Sequence, residues 1–291
     1  MTRTGTALER ACRYVGIDYA GAEVIRAGEN TLYLLKGDIV ARVGRPGQVE
    51  AAQKEVRVSR WLNSVGVDVV EAIPDLDQPV VINDCAVTFW YRLAEHHEGS
   101  MAQVAQTLRR LHQLVPPPSL QLPPLAPFVR LRERIAEARV FQPSDRAWLE
   151  QHLQRLQERY EDLPPGLAPG AVHGDAWGGN IVATTTGPVV LDLERFSYGP
   201  PEWDLASIAV DHFTFGSLTE GEWATFCDHY GHDVTDWEGY GTLRDARELR
   251  KVTFAAQMAD QHPRLRDQAR YRLRCIQGQE GGRPWHWQPV P

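Results

Sequence analysis

A chain of 291 residues is long enough for two packed lobes, and 43% hydrophobic against 24% charged residues is the composition of a folded domain rather than a disordered one. The formal net charge of −7 argues against a general nucleic-acid binder, whose partner demands a basic footprint. No window approaches the ~18 apolar residues of a membrane span, and the polar start Met1-Thr2-Arg3-Thr4-Gly5 offers no signal peptide. Cys12, Cys85, Cys227 and Cys275 are too far apart for a metal-ligand spacing. A cytoplasmic protein with reduced cysteines is expected, monomeric or homodimeric, with no nucleic-acid or membrane partner.

In chain order, the first ninety or so residues predict strands with one helix. Val24 to Gly28 leads into a second strand, Thr31 to Leu35, and Lys36-Gly37-Asp38 is a turn. Ile39, Ala41 and Val43 alternate with Val40 and Arg42 in a third strand. From Val49 to Val65 the pattern is helical, with Val58, Trp61, Leu62 and Val65 on one face. Cys85 to Tyr91 is a further β-prone run. After about residue 100 helices take over: Val104, Leu108 and Leu111 form one stripe, and Trp148, Leu149, Leu153, Leu156 and Tyr160 another. The Pro-rich stretch from Val115 to Pro127 carries Leu120, Leu122 and Leu125, so it is expected to pack as an irregular connection within the second lobe. Strands first and helices second predict an α+β chain of two unequal lobes, residues 1–93 and 94–291.

The chemistry concentrates in His173-Gly174-Asp175-Ala176-Trp177-Gly178-Gly179-Asn180 and in Leu191-Asp192-Leu193-Glu194. Asn180 to Ala183 reads as a strand, Thr184 to Pro188 as a turn and Val189 to Leu193 as the returning strand. That register sets Asn180 opposite Asp192, an amide oxygen beside a carboxylate. Hard oxygen donors so placed suit Mg²⁺, which keeps waters and takes substrate phosphates. Glu194 shares the face of Asp192 if the strand continues, as an outer-shell or additional metal group. Asp175 precedes Asn180 by five positions, the spacing of a kinase catalytic loop whose Asp accepts the proton of the attacking hydroxyl.

The H-G-D-x-x-x-x-N loop, the Leu-Asp-Leu-Glu strand end and the Gly199-Pro200-Pro201-Glu202-Trp203-Asp204-Leu205 segment resemble the aminoglycoside phosphotransferase family, over about residues 22 to 260 and most sharply between 171 and 206. The resemblance implies a bilobal, protein-kinase-like fold with a small β-rich first lobe and a larger helical second lobe. It implies a small-molecule kinase using ATP, with GTP as the alternative nucleotide, and Mg²⁺. Asp175 would be the general base, Asn180 and Asp192 the metal ligands, and His173 and Asp204 the scaffold of the loop. Gly28, Glu29, Asn30 and Thr31 stand where the family has its nucleotide loop. Backbone groups at Phe89, Tyr91 and Leu93 would meet the adenine.

Arg42 stands where kinases carry the phosphate-pairing Lys, and a guanidinium can contact phosphate bidentately. Its expected partner is Glu55, which shares the inward helical face of Val58 and Leu62 and needs a counter-charge there; Glu50 is the competitor. The acceptor is a hydroxylated small molecule, an aminoglycoside-like antibiotic or another metabolite. Carboxylates and aromatics between Asp211 and Glu238 would suit an amine-bearing acceptor, or would be helix surface and core. Trp285-His286-Trp287 is expected to plug the helical lobe. Two rival readings are a metal-dependent hydrolase built on His173, Asp175 and Asp192, and a nucleotide-binding pseudokinase suggested by Arg42.

Overall fold

The computed structural model describes residues 2–28 and 30–290; Glu29 lies outside the described residues. By backbone contacts the chain divides into two compact units, Met1–Leu122 with Gly178–Phe196, and Pro123–Trp177 with Ser197–Pro291. The division is discontinuous, unlike the single cut after Leu93 expected above. It also falls inside the Pro-rich stretch, which was expected to belong whole to the second lobe.

The first unit is built on an antiparallel sheet of β1 (Glu23–Ala27), β2 (Thr31–Leu35), β3 (Ile39–Pro46), β4 (Val80–Ile82) and β5 (Cys85–Tyr91), in the order β1-β2-β3-β5-β4. Helix α1 (Arg3–Val15) covers one face, its Ala7, Leu8, Ala11 and Cys12 buried against Tyr33, Leu35, Ala41, Val43, Val87 and Phe89. This helix corrects the expectation of one helix in the strand region. Its signals are short: Thr2 accepts from the Gly5 N–H as N-cap, and Gly16 closes it at φ 75°, a left-handed value that glycine tolerates. Helix α2 (Val49–Ser64) buries Val56 with Ala72 and Trp90 of the sheet's other face. Because side chains alternate along a strand, Arg42, between the buried Ala41 and Val43, projects away from α1 and onto the side of α2.

Helix α3 (Met101–His112) follows β6 (His97–Glu98), which pairs with β8 (Ile181–Thr184) and through it with β9 (Gly187–Val190). Here the expected register fails. The observed pairs are Ile181 with Val190 and Thr184 with Gly187, so the turn is only Thr185-Thr186, and Asn180 faces Leu191, whose N–H it accepts at 2.7 Å. Pro188, assigned above to the turn, sits in an edge strand, where a missing N–H costs no ladder bond. Asp192 lies one position beyond Asn180's partner.

The second unit holds α4 (Leu131–Glu137), α5 (Pro143–Glu161), α6 (Glu202–Val210), α7 (Glu220–Tyr230), α8 (Tyr240–Gln261) and α9 (Arg266–Ile276), with the short pair β7 (Gly170–Val172) and β10 (Ser197–Gly199). Its main core gathers Leu131, Ile135, Leu149, Leu153, Leu249, Val252 and Leu273. Trp285 and Trp287 stack at 5.4 Å and are buried in the same core, the expected aromatic plug. No described helix is long and apolar enough to cross a membrane.

Candidate active site

The catalytic loop begins at the end of β7. Gly174 has φ 86°, a left-handed turn between two functional side chains that a Cβ would strain. The fully buried Asp204, in the first turn of α6, holds this turn by accepting from the main-chain N–H of His173 at 2.6 Å and of Gly174 at 2.9 Å. Trp203 Nε1 donates to the Gly174 carbonyl at 3.0 Å. His173 is buried and its Nδ1 accepts from the Asp175 N–H at 3.2 Å, a hydrogen bond inside the loop rather than a proton path. Asp175 itself is half-exposed. Asp204 and His173 thus both bond main-chain N–H groups of this turn.

Sequence reasoning missed Arg247 of α8. Its buried guanidinium lies 3.9 Å above the Trp203 ring, donates to the Trp203 carbonyl at 2.8 Å, and comes within 3.8 Å of both Asp175 and Asp204. Burial by itself would raise the Asp175 carboxyl, but Lys251, Arg247, His173 and Arg250 outweigh it and hold the group below its ordinary value of 3.8. Asp175 is ionised throughout the neutral range.

In the first unit, Arg42 donates to Glu55 Oε2, and Glu50 is exposed, so the competitor drops out. The second terminal nitrogen of Arg42 reaches Glu194 at 3.3 Å. With the Asn30 amide oriented so that both its ends are satisfied, its oxygen accepts from Arg42 Nε at 3.0 Å and Nη2 at 2.6 Å, and its nitrogen donates to Gln48 at 3.2 Å. The Gly28 N–H closes this loop onto the Asn30 carbonyl at 3.2 Å, and Thr31 starts β2 opposite Val43. A small recess opens here, walled by Asn30, Gln48, Thr88 and Glu194. Burial pushes the Glu55 carboxyl up to about 7; Arg42 opposes this, while Glu194 and Asp192 add to it.

The stretch after β9 departs from a continued strand. Asp192 adopts φ 53°, turning the chain into a short 3₁₀ turn, Leu193–Arg195, so Glu194 does not share a strand face with Asp192 and pairs with Arg42 instead. Lys54 of α2, also missed in sequence, donates to the carbonyls of Glu194 at 2.6 Å and Phe196 at 3.1 Å. Trp61, two turns along the helix, meets the Phe196 ring edge-on at 6.3 Å. The segment carrying Asp192 is thus fastened to α2 at its far end.

The adenine-binding expectation narrows. The Phe89 N–H is given to Gln78 at 2.7 Å, its carbonyl accepts from Ile73 and Gln78, and the Tyr91 N–H goes to the Glu71 carbonyl at 2.9 Å. Leu93, past the end of β5, is outside this internal bonding. Between 211 and 238 the structure spends the aromatics on packing, with Trp223, Phe226 and Tyr230 stacked along α7. Glu222 and Asp233 serve as helix caps, Glu220 faces His212, and Asp228, Asp236 and Glu238 are exposed.

For a metal, the donor set is one carboxylate and one amide, Asp192 and Asn180, and no cluster of three or more His, Cys, Asp or Glu is placed to hold an ion among the described residues. Two protein oxygens fit Mg²⁺, which completes its shell with waters and substrate phosphates.

The sequence profile of the phosphotransferase enzyme family matches residues 22–246. The chain belongs to that family. This phosphotransferase is 36% identical to the ketosamine-3-kinase of Mus musculus over 52 residues, a match spanning 16% of that relative's length and 18% of this chain. Its fold resembles an amicoumacin kinase in complex with AMP-PNP, Ca²⁺ and Ami (16% identity, TM-score 0.65, 92% of this chain and 93% of that one). It also resembles the choline kinase LicA of Streptococcus pneumoniae (16% identity, TM-score 0.62, 93% and 98%). The α+β, kinase-like architecture expected from the resemblance is the one found.

Proposed function

We propose that this phosphotransferase moves the γ-phosphoryl group of ATP to a hydroxyl of a small molecule. The supporting observation is Asp175, ionised and half-exposed on a loop whose main chain is fixed by the buried Asp204. In the step, the acceptor oxygen forms its bond to γ-phosphorus, the bond from that phosphorus to the β-bridging oxygen breaks, and ADP leaves. Asp175 receives the acceptor's proton. Arg42, held by Glu55 and Asn30, contributes a fixed positive charge for the nucleotide phosphates. Asn180 and Asp192 would hold Mg²⁺, which when bound neutralises charge on the phosphates. The adenine would meet the backbone near Leu93.

The Lys-to-Arg exchange that suggested a pseudokinase keeps its ion pair with Glu55, and the base and both metal-ligand residues are present. Calorimetry of ATP with and without Mg²⁺ should give tight binding only with the metal. A coupled ADP assay over hydroxylated antibiotics, sugars and amino alcohols, with mass spectrometry, should yield a product heavier by one phosphoryl group. Steady phosphate release with no phosphorylated product would refute the transfer.

A further inference from the structure

The surroundings of Asp175 carry more positive charge than a base needs. Arg247, Arg250 and Lys251 stand at i, i+3 and i+4 on α8, one face of the helix. Arg247 on that face lies 3.8 Å from Asp175, so the same face brings the other two toward the loop. Lys251 and Arg247 both act to lower the Asp175 carboxyl. The acids of α8 do not cancel this charge. Glu248 is closed by Arg283 and Thr214, and Asp245 by Arg159 and Arg244.

The three cations are not equivalent. Arg247 is buried, stacked on Trp203 and tied to its carbonyl. Arg250 donates to the Pro127 carbonyl at 2.8 Å. Lys251 is half-buried, and among the described residues its ammonium has no hydrogen-bonded acceptor. A half-buried ammonium beside a catalytic carboxylate is stabilised by a second anion, and the substrate that meets Asp175 can supply one.

We infer that the acceptor carries an anionic group, a carboxylate or phosphate within a few bonds of the hydroxyl that is phosphorylated, and that Lys251 binds it. The inference rests on the phosphotransfer reading above and adds the charge class of the substrate. The amine-bearing acceptor is the competing reading.

The test uses matched acceptors that differ only in charge: glycerate, glyceramide and 3-aminopropane-1,2-diol, then gluconate, glucitol and 1-amino-1-deoxyglucitol. ADP formation is followed with the full chain and MgATP. The acid of at least one set should exceed its neutral partner in kcat/KM by about tenfold or more, the effect of one charge-assisted hydrogen bond. Lys251→Gln should erase most of that difference, chiefly through the KM of the acid, and Lys251→Arg should restore it. Acids no better than their neutral or amino partners overturn the inference, as does a background rate on all six while MgATP still binds; the kinase reading survives both results. An equal fall in kcat on every acceptor in Lys251→Gln also overturns it, moving Lys251 to the transferred phosphoryl group. Absence of MgATP binding would instead remove the phosphotransfer reading and this inference with it.

Discussion

Asp204→Asn isolates what holds the catalytic loop. The carboxylate accepts from two main-chain N–H groups, His173 at 2.6 Å and Gly174 at 2.9 Å, in a site with no solvent exposure. An amide of the same shape presents one oxygen and one NH₂, so one backbone bond survives and the other donor faces a donor. Losing a charge-assisted bond and leaving a buried N–H unpaired costs about 1.5–3 kcal/mol. Arg247 also loses one of its two carboxylates. The local cost should therefore be about 3 kcal/mol, a fall of roughly 150-fold in the protection of these amides. Hydrogen exchange with mass spectrometry on peptides covering 170–176 reads this directly, without assuming that the two units unfold together. Protection within about threefold of wild type would refute the reasoning, showing that Trp203 and β7 hold the turn without the carboxylate.

Asp175→Asn should cut kcat by about 10²–10⁴ while leaving MgATP affinity within a factor of two by calorimetry. Because the Asp175 pKa is lowered, its loss of activity should begin only as pH falls below the ordinary carboxylate range near 3.8; a pH–kcat/KM profile whose acid limb lies at pH 6 and vanishes in Asp175→Asn would contradict this. Glu55 shifts the other way: its folded pKa of about 7 exceeds the ordinary 4.5, so its contribution to stability is full below pH 4.5 and is lost as pH rises toward 7. Denaturant titrations of the nucleotide-free protein should show that decline, and Glu55→Gln should flatten it. Lys54→Met should raise the Mg²⁺ concentration needed for half-maximal activity by about tenfold, because the carbonyls of Glu194 and Phe196 lose their common anchor behind Asp192; a variant that melts earlier yet keeps the wild-type Mg²⁺ dependence would assign Lys54 to stability alone.

What the sequence revealed and what it hid follow the range of the interactions. Asp175 and Asn180 were legible because their spacing along one loop is itself the chemical requirement. Arg42 and Glu55 were legible because Arg42 stands where kinases carry the phosphate-pairing Lys, and the helical stripe pointed Glu55 inward, where it needs a counter-charge. The hairpin register was not, because it depended on where a two-residue turn began, and Pro188 is compatible with a turn and with an edge strand alike. Lys54 and Arg247 were invisible for another reason. Lys54 binds main-chain carbonyls, which carry no sequence identity, and Arg247 meets Asp175 across 72 positions of chain that no local period connects.

The two missed cations share a role that the named site residues cannot fill. In the proposed roles Asp175 and Asp192 need fixed backbones, and a loop and a 3₁₀ turn have few hydrogen bonds of their own with which to fix them. Asp204 with Arg247 supplies that rigidity on one segment, and Lys54 with Trp61 supplies it on the other. In each case a long cationic side chain from a helix reaches a backbone carbonyl close to the functional carboxylate: Trp203 beside Asp204 for Arg247, and Glu194 two residues past Asp192 for Lys54.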